Sequence, residues 1–296
     1  MNKYVILADS TSDLTKALRE TYDLDYVRMN YVIDDVEYPA SLDWEAHSVH
    51  EFYNIMRDGK RITTTQVPRE EYETVFKKYL DQGMDILYIS CSSALSGSIN
   101  LATVIAKELA ESYPERKIIC VDSLCSSLGQ GYMAIRASML RAQGKSIEEA
   151  AAYVEEHKLK YNQVGAVENL NYLKRAGRVT ASSAFFGNMF GIKPIIISDK
   201  NGQNLAIEKV KGAANAKLRV AQKVAEVADK DDLENLMITH ADALEEAEKL
   251  RDKILELVPF KNVIIGPIGP IVGASVGPGT VAAYCYGKEV TIGGNE

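Results

Sequence analysis

Three clusters of hydroxyl side chains carry most of the chemistry in this sequence: Asp9-Ser10-Thr11-Ser12, Thr63-Thr64-Thr65-Gln66, and the run Ser90-Cys91-Ser92-Ser93-Ala94-Leu95-Ser96-Gly97-Ser98. Each offers neutral donors, and the first and third follow short apolar runs that read as buried strands. A strand, a small polar turn and a helix in that order leave backbone N–H groups and hydroxyls around one point. Such a point suits a ligand with one modest negative charge, such as a carboxylate. A diphosphate calls for a glycine-rich loop with lysine, and neither the P-loop nor the dinucleotide fingerprint occurs there. Read singly, each cluster is also an ordinary helix-capping device.

Nucleophilic and metal chemistry find less support. Gly273-Ala274-Ser275-Val276-Gly277 matches the nucleophile-elbow pattern of serine hydrolases. In that fold the acid and the histidine follow the serine, whereas His47, His50, His157 and His240 all precede Ser275. A serine-dependent acyl hydrolase or transferase acting through Ser96 or Ser275 is the alternative, and it lacks a paired base. His47 and His50 sit three apart without further ligands in matching spacing, so no metal is expected. Cys91, Cys120, Cys125 and Cys285 lack metal spacing and read as reduced thiols, placing the chain in the cytoplasm. The net charge of −7 argues against nucleic acid as a partner.

The elements that position these residues alternate between strand and helix. At 296 residues with 46% hydrophobic side chains, the chain can fill two domains with sizeable cores. No apolar window is long enough for a membrane span, so no stable insertion is expected, and Asp9 follows the start too closely for a signal peptide. Residues 4–8 read as a strand, with 10–13 capping a helix over 14–22. Residues 26–33 read as a second strand, 86–89 and 117–121 as buried strands. Tyr72, Val75, Phe76, Tyr79 and Leu80 place an amphipathic helix after Pro68. Ser146 and Glu149 form a capping box that opens a helix to about residue 157.

The pattern changes beyond Tyr161, and the boundary falls there: domains at 1–160 and 161–296. Residues 164–167 read as a strand and 169–175 as a short helix stopped by Gly177. Residues 193–198 and 205–210 flank the turn Asp199-Lys200-Asn201-Gly202 and make an antiparallel hairpin. Helices over about 213–228 and 242–257 enclose a strand at 235–239. Residues 263–265 form the last clear strand before a glycine- and proline-rich tail.

Two further segments admit two readings each. Residues 184–192 form an apolar, small-residue helix. Its side chains Phe185, Phe186, Met189, Phe190 and Ile192 are either core packing or the wall of an elongated cavity that shapes itself around a flexible guest. Lys174, Arg175 and Arg178 complement a helix C-terminus, or form a docking patch for an acidic partner.

Taken together, these motifs resemble the DegV family, bacterial fatty-acid-binding proteins that include the binding subunits of fatty acid kinase. The resemblance runs from Ala8-Asp9-Ser10-Thr11-Ser12-Asp13-Leu14 through Thr64-Thr65-Gln66, Ser92 to Ser98, Val121-Asp122-Ser123, Gly129-Gln130-Gly131, Leu173 to Arg178 and Ile192-Lys193-Pro194, to Val276-Gly277-Pro278-Gly279. It implies a two-domain α/β DegV-like fold, with an N-terminal parallel-sheet α/β/α domain and a C-terminal mixed-sheet α/β domain. A long-chain fatty acid lies between them, its tail in the C-terminal domain. Thr64 and Ser96, with Gly97 beside them, take the positions of the carboxylate-binding residues. The resemblance implies no other cofactor and no turnover by the chain itself. In kinase-linked members a separate ATP-dependent subunit phosphorylates the bound lipid, and the acyl phosphate feeds phospholipid synthesis. Ser275 stands where members commonly carry histidine, and Lys211 where they carry arginine. Both positions are associated with the head group, and lysine keeps the charge but loses the bidentate fork.

Overall fold

The computed structural model describes residues 3–180 and 191–294. Four strands build a parallel sheet: β1 (Tyr4–Asp9), β2 (Leu24–Val27), β6 (Asp85–Ser90) and β7 (Ile118–Asp122), in the order β2-β1-β6-β7. β1 and β6 are buried along their whole length, as central parallel strands covered on both faces must be. The covering helices are α1 (Lys16–Tyr22), α3 (Arg69–Leu80), α4 (Ser98–Ser112), α5 (Ser127–Ala142) and α6 (Ile147–His157). α6 opens with the reciprocal Ser146/Glu149 capping box. α1 is capped by Thr15 rather than by residues 10–13, because Asp13 adopts a left-handed backbone (φ 52°) that turns the chain before the helix begins.

The expected strand over 26–33 is two strands. β2 ends at Val27, and the chain crosses to a three-stranded antiparallel sheet of β3 (Asn30–Ile33), β4 (Val36–Pro39) and β5 (Ile62–Thr64). The crossing is pinned by Met29 N–H donating to Ser10 Oγ at 3.0 Å and by Arg28 pairing with Glu71. α2 (Val49–Arg57) packs beside this small sheet and is capped by Ser48 and Glu51.

From residue 161 onward the chain builds a six-stranded mixed sheet: β8 (Tyr161–Ala166), β9 (Ile192–Ser198), β10 (Asn204–Lys211), β11 (Asn235–His240), β12 (Asn262–Pro267) and β13 (Val281–Tyr286). Their order is β10-β9-β8-β13-β11-β12. The helices here are α7 (Leu170–Ala176), α8 (Ala213–Val227), α9 (Leu244–Leu257) and α10 (Pro270–Val276). β9 and β10 form the expected hairpin, its turn held by Asp199 Oδ1, which accepts from Asn201 and Gln203 N–H. Two corrections apply. The glycine-rich tail is structured, since it contains α10 and the central strand β13. Ile192 opens β9 instead of closing a helix; Phe185, Phe186, Met189 and Phe190 lie outside the described residues.

α5 joins the two sheets, touching β1 on one side and β8, β11 and β13 on the other. One apolar cluster accordingly links Leu14 and Leu128 to Met237 and Tyr284. Among the described residues no helix is long and apolar enough to cross a membrane, and no three His, Cys, Asp or Glu side chains group as metal ligands would.

Candidate functional site

All three hydroxyl-bearing turns open onto one cavity of about 500 Å³ between the two sheets. Thr11 comes from the turn after β1, Thr64, Thr65 and Gln66 from the end of β5, and Ser93, Ser96 and Gly97 from the turn after β6. Ser126, the residue before α5, and Ser275 on α10 complete the polar lining with Asn204 and the guanidinium-bearing Arg178. Met29, Leu95, Ile271, Val272 and Val276 supply the apolar part of the lining. This is the ordinary place for a ligand, at the carboxyl ends of parallel strands.

Buried carboxylates and close backbone approaches hold the turns. Asp9 is fully buried; its Oδ2 accepts from Tyr88 OH at 3.0 Å and Cys91 N–H at 2.8 Å, and its Oδ1 accepts from Thr11 N–H at 3.0 Å. One carboxylate therefore ties the β1 turn to the β6 turn. Ser96 Oγ lies 2.9 Å from Ser98 Oγ, and Ser98 Oγ accepts from Val67 N–H at 3.2 Å, which ties the β6 turn to the β5 turn. A Cβ on Gly97 would sit 2.6 Å from Gln66 Oε1, so any larger residue there would have to displace the exposed Gln66 side chain.

A smaller recess of about 100 Å³ shares Thr64, Arg178 and Ser275 with the cavity and adds Lys60, Arg61 and Arg175. Two of the three cations in the α7 segment, Arg175 and Arg178, thus face the site, while Lys174 is exposed and lines neither space. α7 is fixed by Tyr172, whose hydroxyl donates to Met56 O at 3.1 Å and whose ring packs on Gly277.

Lys211 stands where the resemblance puts an arginine at the head group. It ends β10 opposite Ile192, is exposed, and lines neither space. Ile192 lines neither space either. Arg178 lines the cavity; the sequence showed it as one of three helix-end cations, with nothing to single it out. Met29 and Cys91 were also unassigned, since their positions depend on how β2 and β6 end.

Ser275 sits in the last turn of α10, not on the strand-to-helix corner of a nucleophile elbow. No histidine, aspartate or glutamate lines the cavity among the described residues. His47 Nδ1 lies 2.8 Å from Tyr31 OH, whereas His50 pairs with Asp242, so the two imidazoles serve different contacts. Burial pushes the Cys91 thiol well above its usual range, with the nearby Asp9 adding to the effect, and Cys125 is pushed up to about 12 by burial.

A family model described as an uncharacterised protein of the DegV family matches residues 3–288. A DegV domain-containing protein of Clostridium perfringens is 34% identical over 287 residues, covering 97% of this chain and 98% of the relative. The fold is similar to that of a DegV lipid-binding protein of Thermotoga maritima, with TM-score 0.85 and 27% identity over 98% of this chain and 100% of that one. It is equally similar to a DegV family protein of Thermus thermophilus described by its fatty acid binding, with TM-score 0.85 and 27% identity, covering 97% and 100%.

Proposed function

Since the chain belongs to the DegV family, we propose that it binds a long-chain fatty acid non-covalently and carries it without turnover of its own. The single observation that carries this reading is the cavity itself, whose lining combines hydroxyls and one guanidinium with apolar side chains. The carboxylate is held by Thr64, Ser96 and Ser275, with Arg178 as counter-charge, and the first methylenes lie against Leu95, Ile271 and Val272. The fatty-acid-binding relatives support the ligand class.

Burying a methylene contributes about 0.8 kcal/mol, so roughly fourteen of them supply on the order of 11 kcal/mol before ordering costs. The tail dominates affinity and the polar end sets orientation. Among the described residues the lining holds no histidine or carboxylate, which supports a carrier over a serine hydrolase, since a hydrolase needs a base within reach. Mass spectrometry of the purified protein under native and denaturing conditions tests the reading. One fatty acid per chain, released unchanged, is the expected result; a covalent acyl adduct or turnover of an activated ester would support the hydrolase instead.

The finer reading is presentation of the bound lipid to a separate fatty acid kinase. Lys60, Arg61 and Arg175 beside Thr64 and Ser275 put positive charge where phosphoryl oxygens would form, which supports it. Acyl phosphate production from lipid-loaded protein, ATP and a fatty acid kinase is the test, and none forming would overturn it.

A further inference from the structure

Asp13 stands where three cavity-lining elements meet. Its side chain is buried, Oδ2 accepts from the Ser127 hydroxyl at 2.5 Å, and Oδ1 accepts from Gly269 N–H at 2.8 Å. Asp13 follows Thr11 by two residues, Ser127 follows Ser126, and Gly269 caps α10, which carries Ile271, Val272 and Ser275. One carboxylate therefore sets the β1 turn, α5 and α10 relative to one another. Asp13 and Ser127 both hold left-handed backbones, φ 52° and 54°, a conformation that aspartate tolerates and serine rarely adopts. A Cβ on Gly269 would lie 2.7 Å from Asp13 Oδ1, so the approach is built in.

The surroundings oppose a charge there. The titratable groups facing Asp13 are Asp9 from β1, Tyr53 from α2 and Tyr284 from β13. Burial raises both tyrosines, so they stay neutral. Among the described residues no lysine, arginine or histidine forms an ion pair with Asp13. Burial, aided by Asp9 and only partly offset by the two hydrogen bonds, pushes the carboxyl up to about 7. The neutral form is accommodated. A proton on Oδ2 donates to Ser127 Oγ, and that hydroxyl turns to Thr239 Oγ1 at 3.5 Å, itself 3.3 Å from Tyr284 OH.

We propose that Asp13 links proton uptake to lipid loading: an anionic ligand in the cavity favours neutral Asp13, and neutral Asp13 favours the anionic ligand. The inference rests on the fatty-acid reading, because the ligand carboxylate supplies the further negative charge. The proton comes from solvent and resides on Asp13, and the two equilibria are reciprocal by thermodynamic necessity. Because Asp13 has a folded-state value raised above that of the unfolded chain, its stabilising contribution is present at acidic pH and lost as pH rises through about 7. Ligand affinity then falls on the alkaline side of that value.

Calorimetric titration of the delipidated full chain with palmitate, in buffers of different ionisation enthalpy, reads this directly. Wild type takes up a fraction of one proton per lipid near neutral pH, and its affinity falls roughly five-fold from about pH 6.5 to 8.5. Asp13→Asn, the neutral isostere, shows neither effect. The same proton balance in both proteins overturns the linkage while leaving the fatty-acid reading intact. Absence of palmitate binding by wild type at every pH overturns the fatty-acid reading, and the linkage with it. Ser127→Ala gives a second measure: losing the donor to the charged form moves the affinity fall to higher pH, and an unmoved midpoint overturns the proposal.

Discussion

The Tyr172 ring occupies the place where a side chain on Gly277 would stand: a Cβ there would lie 2.2 Å from Tyr172 Cδ2. Gly277 also holds φ 75°, so glycine is required for both conformation and contact. Gly277→Ala should destabilise the protein by about 2 kcal/mol or more, through the steric clash and backbone strain. Denaturant unfolding measures this, and a loss below about 0.5 kcal/mol would show that α7 gives way freely.

Removing the hydroxyls at the polar end should cost less than removing the apolar wall. Thr64→Ala with Ser96→Ala is expected to weaken palmitate binding roughly ten-fold, the scale of one or two hydrogen bonds to a charged group. Titration with a labelled fatty acid checks it. Abolished binding would show that the head group, rather than the tail, supplies most of the affinity.

Arg178 and Lys211 make a paired test of which cation serves the ligand. Both side chains are exposed, but Arg178 lines the cavity and Lys211, at the end of β10, does not. Arg178→Gln should lower fatty acid affinity several-fold and reduce its sensitivity to salt. Lys211→Gln should change neither. The reverse ranking would place the carboxylate away from Thr64 and Ser275.

Cys91 lines the cavity and is buried, with its thiol held well above the usual range by burial. Native protein at about pH 8 should therefore alkylate slowly at this position, because the thiolate is the reactive form. Occupancy by palmitate should slow it further. Peptide mapping after iodoacetamide treatment reads both rates; equal labelling with and without lipid would put the ligand elsewhere.

Local signals carried much of the architecture into the sequence. Two of the three hydroxyl turns stood out because small polar residues follow continuous apolar runs, and the β9–β10 hairpin because Asp199-Lys200-Asn201-Gly202 is a turn in its own right. What escaped was set by distant partners. The break between β2 and β3 depends on Ser10 and Glu71 catching the chain at Met29 and Arg28. β13 was hidden because Val281-Ala282-Ala283-Tyr284 follows glycines and proline, and its strand character comes from β8 and β11 on either side. Lys211 could be aligned with a family position, but its place at the end of β10 opposite Ile192 follows from the pairing of β10 with β9.

The central placement of β13 also dictates an order of events during synthesis. β8 leaves the ribosome about 120 residues before the strand that must lie beside it. Until Tyr286 emerges, β8 and β11 each present an unfilled edge, so the nascent second half waits with its interior open. Shielding of those edges by chaperones should matter most in that interval, and trimming back past residue 281 should leave the first half folded beside an incomplete partner.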